Sequence, residues 1–292
     1  MIMGNDLLSR IVNWAEREEP VRALLLEGSR AENGKAEEFS DYDVNMFITD
    51  PEPYVRDDRW ISAIDDVWVY IPEKVDYQGQ VFATRLVIYQ GGIKIDFILY
   101  STDVLQRLAH ADQLPEQYDS GYRILLDKDG VAADMPASTF KAFRRGKPTD
   151  TAFLECVREF WFEAYHVAKY LRRRDLWPVK CRDWATKRLL LQMIEWHERG
   201  RRGWDYRTHP EGKRMESWVE TETWERLSGI FAGFDAEDSW QAMFTTFELF
   251  GRLARETAQS LGCTYPSEIE RHIVTFARKL REEAIRAGTD TQ

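Results

Sequence analysis

What the chain has little of narrows its reading first. Its 292 residues include three cysteines, Cys156, Cys181 and Cys263, which are far apart and odd in number. No C-x-x-C pair occurs, so the chain offers neither a disulfide framework nor a zinc pattern, and free thiols in a reducing compartment are expected. The five histidines are equally scattered. None stands at ligand spacing from another, and His197, after Glu195-Trp196, reads as a helix-end or packing residue. No nucleophile motif supports Ser-His-Asp or Cys-His catalysis. Apolar runs such as residues 23–26 and 189–191 fall far short of the roughly 20 needed to span a bilayer. No charged-then-apolar leader precedes the first amphipathic pattern at Leu7, Leu8, Ile11, Val12 and Ala15, and a soluble cytoplasmic protein with no membrane partner is expected.

An excess of positive charge is also missing. Residues 1–146 carry 16 Lys+Arg against 26 Asp+Glu, a balance of −10, whereas residues 147–292 carry 24 of each. Such a surface repels a polyanion and attracts small cations, which disfavours a nucleic-acid partner. The basic clusters Arg172-Arg173-Arg174 and Arg199…Arg201-Arg202 read as helix C-termini, where cations complement the dipole. Two phosphate-binding signatures are absent as well, G-x-x-x-x-G-K-[ST] and G-x-G-x-x-G.

What is present supports a folded chain. With 43% hydrophobic and 13% aromatic residues it can build cores, in one large domain or two of ordinary size. The first half alternates strands and helices: strands at 21–27, 44–49 and 67–71, a helix at 54–64, and strands 84–89 and 93–100 flanking Gln90-Gly91-Gly92 as a hairpin. An antiparallel hairpin in this mixture argues for α+β rather than a doubly wound sheet. The second half reads as helices at 151–174, 181–199, 224–231, 239–261 and 267–287, with Pro178 marking a restart. Their Trp and Phe residues are most simply core. Pro136 and Arg144-Arg145-Gly146-Lys147-Pro148 mark a boundary, giving an α+β domain over 1–147 and a helical bundle over 148–292.

Chemistry is suggested near the start. Val21 to Glu27 runs into Gly28-Ser29-Arg30, a turn whose backbone N–H groups, hydroxyl and guanidinium suit phosphate oxygens. Asp41 and Asp43 follow; at i and i+2 in a strand their carboxylates share a face and can converge on a hard cation, although a D-x-D beside a turn also serves as a cap. Val44, Met46 and Ile48 take the other face of what reads as a half-buried strand. A third carboxylate, Asp96, lies in the apolar stretch Ile93–Leu99, on the face of Lys94, Ile98 and Tyr100. A charge there needs a partner, water or metal. If its strand neighbours that of Asp43, the three aspartates form a cluster suited to magnesium and a nucleotide. The alternative is a salt bridge from Asp96 to Lys94 or Arg85 at a sheet edge.

These residues are similar to a known pattern. Gly28-Ser29, Asp41-Tyr42-Asp43 and Lys94-Ile95-Asp96-Phe97 resemble the signature of the polymerase-β-like nucleotidyltransferase superfamily. Leu26-Glu27-Gly28-Ser29-Arg30, Phe39 to Asp43, Phe47 to Asp50, Leu125 to Asp129, Glu159-Phe160-Trp161 and Trp196-His197 resemble the aminoglycoside 6-adenylyltransferases more closely. The resemblance implies a polymerase-β-like mixed sheet followed by a helical substrate-binding domain. It also implies transfer of AMP from ATP to a hydroxyl of a streptomycin-like drug, with pyrophosphate leaving and antibiotic resistance as a consequence. Asp41 and Asp43 would hold Mg²⁺, and Asp96 would ligate metal or act as general base. Gly28, Ser29 and Arg30 would hold phosphates, with a lysine of the helical domain, Lys180 or secondly Lys213, completing the triphosphate site. A guanidinium-bearing drug calls for an acidic site; Glu155, Glu159 and Glu163 recur at i, i+4 and i+8, and Glu159 is the candidate drug contact. A different hydroxyl acceptor, on a metabolite or protein, and a non-catalytic nucleotide-binding regulator stay open. The sequence settles no oligomeric state, and a monomer is compatible with it.

Overall fold

The computed structural model describes residues 2–31, 40–77, 79–140 and 146–289. The chain divides into two compact units, Met1–Phe143 and Arg144–Gln292. Gly146 and Lys147, placed before the boundary on sequence grounds, bond within the second unit: the Gly146 carbonyl accepts from Arg199, and Lys147 Nζ donates to the Leu261 carbonyl.

The first unit opens with helix α1 (Ile2–Arg17) and strands β1 (Val21–Glu27) and β2 (Tyr42–Ile48). Short helices α2 (Glu52–Arg56) and α3 (Arg59–Ile64) lead to strands β3 (Val67–Tyr77), β4 (Gln80–Tyr89) and β5 (Ile93–Ser101). Helices α4 (Thr102–Ala109) and α5 (Glu116–Asp119) precede β6 (Tyr122–Asp127). The sheet order is β3-β4-β5-β2-β1-β6. Among the described residues only β2 and β5 pair in parallel; the other pairings are antiparallel. Thus an α+β unit with a mixed sheet forms, as the hairpin signal implied. The apolar edges of α1 (Leu7, Leu8, Ile11) cover one face, against Val44, Met46, Ile95 and Phe97. Val104, Leu105 and Leu108 of α4 cover the other, against Phe47 and Tyr100.

Several expectations change with this topology. β2 is buried on both faces rather than half-buried, because it is a central strand and Asn45 and Phe47 are as enclosed as Val44 and Met46. The helix expected over 54–64 is split at Asp57, which is extended (φ −133°, ψ 108°) and accepts the Arg59 N–H at 3.0 Å. β3 does not stop at Pro72 but continues through it, with Pro72 opposite Arg85. An edge strand tolerates a residue without an N–H donor, and β3 is the edge. The hairpin turn places both Gly91 (φ 85°) and Gly92 (φ 75°) in the left-handed region.

The second unit is helical: α6 (Asp150–Arg172), α7 (Leu176–Arg202), α8 (Thr221–Leu227), α9 (Ala236–Leu261) and α10 (Ser267–Thr289). α6 packs on α7, α9 and α10. Its Phe160 stacks on Phe250, and Trp161 meets Phe247 edge-on while donating to the Tyr265 hydroxyl at 3.0 Å. α7 starts five residues before the expected restart and carries Pro178 in its first turn, where a missing N–H removes no intrahelical bond. The expected core role holds for Phe153, Trp240 and Phe247, whereas Phe162, Trp184 and Phe231 are exposed. No helix among the described residues is long and apolar enough to cross a membrane.

Candidate active site

The register of the sheet brings the acidic residues together. In the parallel pair, Asp43 stands opposite Asp96 and Tyr42 opposite Ile95. In the antiparallel pair beside it, Glu27 stands opposite Asp43. The end of β1 and the starts of β2 and β5 therefore meet at one end of the sheet. The expected adjacency of the Asp43 and Asp96 strands is realised inside the sheet, not at its edge.

Lys94 joins this group. Its Nζ lies 2.8 Å from Asp41 Oδ2 and 2.7 Å from Asp96 Oδ2, which realises one of the two salt bridges considered for Asp96. Burial pulls the Lys94 pKa down, but the hydrogen bonds to Asp41 and Asp96 outweigh it and hold the ammonium above its ordinary value. Arg85, the other partner considered, is committed elsewhere: Nε donates to Asp58 at 2.5 Å, and the guanidinium also donates to the Thr84 and Val55 carbonyls. The second oxygen of Asp96, Oδ1, is buried without a hydrogen-bond partner.

The turn after β1 closes on the same carboxylates. Gly28 has φ +74°, and a Cβ built there would lie 2.7 Å from Asp43 Oδ2. Backbone conformation and close approach both require glycine. Gly28 to Arg30 form a 3₁₀ turn, with the Gly28 carbonyl accepting from the Ala31 N–H at 3.0 Å. Arg30 donates Nε to the Ser40 carbonyl at 2.7 Å, and its guanidinium lies 4.2 Å over the Tyr42 ring. It therefore ties the turn to the start of β2. The Ser29 side chain lies outside the described residues, as does Phe39 of the resembling stretch.

Behind this row lies a polar layer that sequence reasoning missed. Asn45 is fully buried and donates Nδ2 to Glu27 Oε2 and to the Tyr118 hydroxyl, each at 3.0 Å. Burial drives Glu27 up to about 7, and repulsion from Asp43 adds to the rise, against hydrogen bonds from Asn45 and Gln117. Tyr100 is pushed up to about 12 by burial. The one available signal was periodicity: Asn45 is polar two residues beyond Asp43, on the same face of an otherwise apolar strand.

The donor set fits a hard divalent cation. It consists only of carboxylate oxygens, includes an unpartnered buried one on Asp96, and abuts a backbone cradle at Gly28 that no side chain could enter. The three aspartates are not drawn to within 4.8 Å of one another, whereas ligand atoms of His197, Glu198 and Glu220 in the helical unit are. That second group is already charge-balanced. Glu198 pairs with Arg201 and Arg202, and Glu220 with Arg252. His197, buried, lies with Nε2 2.6 Å from Glu256, a packing role in line with its sequence reading.

The remaining candidates belong to the helical unit. Lys180 donates to the Ala232 carbonyl at 3.0 Å and the Ser239 hydroxyl at 2.9 Å, anchoring the turn before α9. Lys213 is exposed. Of the acidic stripe, Glu155 and Glu159 are exposed, but Glu163 is buried and accepts from Arg182 at 3.0 Å. A four-residue step advances about 40° beyond a full helical turn, so two steps carry Glu163 round toward α7.

A family model described as streptomycin adenylyltransferase matches residues 1–280. An aminoglycoside 6-adenylyltransferase of Bacillus subtilis (strain 168) is 24% identical over 272 residues, covering 89% of this chain and 92% of that protein. Its counterpart in Campylobacter jejuni is 26% identical, with 92% and 94% covered. Another in Staphylococcus aureus is also 26% identical, with 94% and 96% covered. A crystal structure of an aminoglycoside 6-adenyltransferase from Bacillus subtilis aligns with a TM-score of 0.45 at 20% identity, over 94% of this chain and 97% of that one.

Proposed function

Because the chain belongs to the streptomycin adenylyltransferase family, an adenylyltransferase family, we propose that it transfers AMP from ATP to a hydroxyl of a streptomycin-like aminoglycoside, releasing pyrophosphate. The observation that carries this reading is the pairing of Asp43 with Asp96 across β2 and β5, with Asp41 joined to Asp96 through Lys94. Asp41, Asp43 and Asp96 would hold Mg²⁺, which would supply neutralisation of the triphosphate charge. Gly28 and the backbone of its turn would lie against phosphate oxygens, with the Ser29 hydroxyl and Arg30 completing their binding. The acceptor hydroxyl oxygen would form a bond to the α-phosphorus as the bond from that phosphorus to the bridging oxygen breaks. Its proton would pass to the Asp96 carboxylate, and the electron pair would leave with pyrophosphate.

We assign the helical unit to substrate binding, with Lys180 reaching the triphosphate and Glu159 the cationic drug. Lys180 would have to exchange its bonds to Ala232 and Ser239 for phosphate. A cytoplasmic location, where ATP is available, and a role in drug resistance accompany this reading. The test is to incubate labelled ATP and Mg²⁺ with a panel of hydroxylated acceptors that includes streptomycin. Labelled adduct should form with aminoglycosides, and Asp96→Asn should abolish it while retaining ATP binding. Transfer to another hydroxyl class alone would replace the acceptor, and ATP binding with no transfer to any acceptor would make the protein a nucleotide-binding regulator.

A further inference from the structure

At the candidate site, the place between two of the aspartates is taken by a charge from the chain itself. Lys94 Nζ bridges Asp41 Oδ2 and Asp96 Oδ2, and no other cation among the described residues pairs with either carboxylate. We infer that Lys94 is an internal counter-ion that competes with the divalent metal for Asp41 and Asp96, so that metal enters by displacing the ammonium. The inference rests on the proposed reading of the three aspartates as metal ligands.

The local structure suits displacement. Lys94 and Asp96 lie two residues apart on one face of β5, and Asp41 precedes the neighbouring strand, so the strand register aims the ammonium between the carboxylates. The Lys94 side chain is 31% exposed and Asp41 is 47% exposed; a four-carbon stem with that access can swing into solvent without disturbing the sheet. The neutralisation is also incomplete, since Asp96 Oδ1 is buried and unpartnered while Oδ2 holds Lys94. A monovalent ammonium on Oδ2 leaves that oxygen unsatisfied, a carboxylate oxygen of the kind a hard divalent ion takes.

The consequence is a threshold for metal. Without metal, Lys94 balances a row of carboxylates that would otherwise repel one another, and the site stays assembled. A bare metal ion must replace two charge-assisted hydrogen bonds. One arriving with a polyphosphate brings anionic oxygens that receive the released ammonium, so entry with nucleotide is favoured over entry alone.

The test is a Mn²⁺ titration of the full-length protein without nucleotide, with free Mn²⁺ followed by electron paramagnetic resonance. Lys94→Met, which keeps the stem and removes the charge, should bind Mn²⁺ about tenfold more tightly than wild type. Lys94→Arg should stay close to wild type. A Lys94→Met protein with native circular dichroism and an unchanged or weaker Mn²⁺ affinity overturns the inference, and assigns Lys94 to orienting the carboxylates instead. Should that variant not fold, the wild type decides. Mn²⁺ should raise the rate at which Lys94 is acylated by an amine-reactive ester, read by peptide mass spectrometry, and an unchanged or slower rate overturns competition. Neither measurement contains an acceptor. Tightened Mn²⁺ binding without any adenylyl transfer would sink the proposed transfer reaction alone, and transfer with no Lys94 effect would sink this inference alone.

Discussion

At the scale of single residues, the site is set by close approach. Gly28 has both a left-handed φ and no room for a Cβ against Asp43 Oδ2, so Gly28→Ala must shift the turn or the carboxylate. Displacements of this kind cost about two orders of magnitude in rate, and steady-state adenylylation should fall accordingly with the fold intact. Glu27 carries the opposite kind of tension. Its carboxyl is raised by burial and by Asp43 from an ordinary 4.5 to about 7. A carboxyl raised on folding favours the native state fully below its unfolded pKa. As pH rises from about 4.5 to about 7 the unfolded chain ionises first, and that contribution is lost. Glu27→Gln should therefore melt higher than wild type at pH 8 and similarly at pH 4.5. Equal melting differences at the two pH values would show that Glu27 is not the titrating group. Gly28 and the aspartates were legible because their residue types are costly elsewhere in a strand. Glu27 and Asn45 were not, because their importance arises from β1 and α5 lying beside β2, which no local pattern encodes.

At the scale of elements, the helices were easier to read than the strands that build the site. The periodicity of α6 and α9 placed them to within a few residues, and their ends are chemical: Thr149 accepts the Ala152 N–H at 3.1 Å and Asp235 accepts the Asp238 N–H at 2.9 Å. Thr149→Ala should lower the stability of the helical unit by about 1 kcal/mol, seen as a reduced denaturant midpoint with an unchanged slope. The strand readings failed where pairing overrides local signals. Pro72 reads as a stop, yet β3 continues because its outer side needs no partner. β2 reads as half-buried, yet both of its faces are covered. The split at Asp57 likewise follows from its carboxylate competing for a backbone N–H.

At the scale of the whole molecule, each hydrophobic cluster is drawn from one unit: Phe153 to Ala277 in the helical part, Leu7 to Met135 in the sheet part. A fragment spanning 144–292 should accordingly retain helical circular dichroism and melt cooperatively; a broad, non-cooperative loss of signal would show that its core is incomplete alone. The uneven charge, −10 over residues 1–146 and zero over 147–292, belongs with a sheet unit that gathers carboxylates at one end. By itself the sequence determined the α+β and helical halves, the glycine turn and the candidate aspartates, because composition, periodicity and the cost of an isolated charge are local properties. Only the tertiary structure decided that Asp43 lies beside Asp96, that Lys94 rather than Arg85 occupies the carboxylates, and that Asn45 and Glu27 form a buried layer behind them. Those facts depend on strand order and register, which are set by how both faces of the sheet are buried and so lie beyond any one segment of the chain.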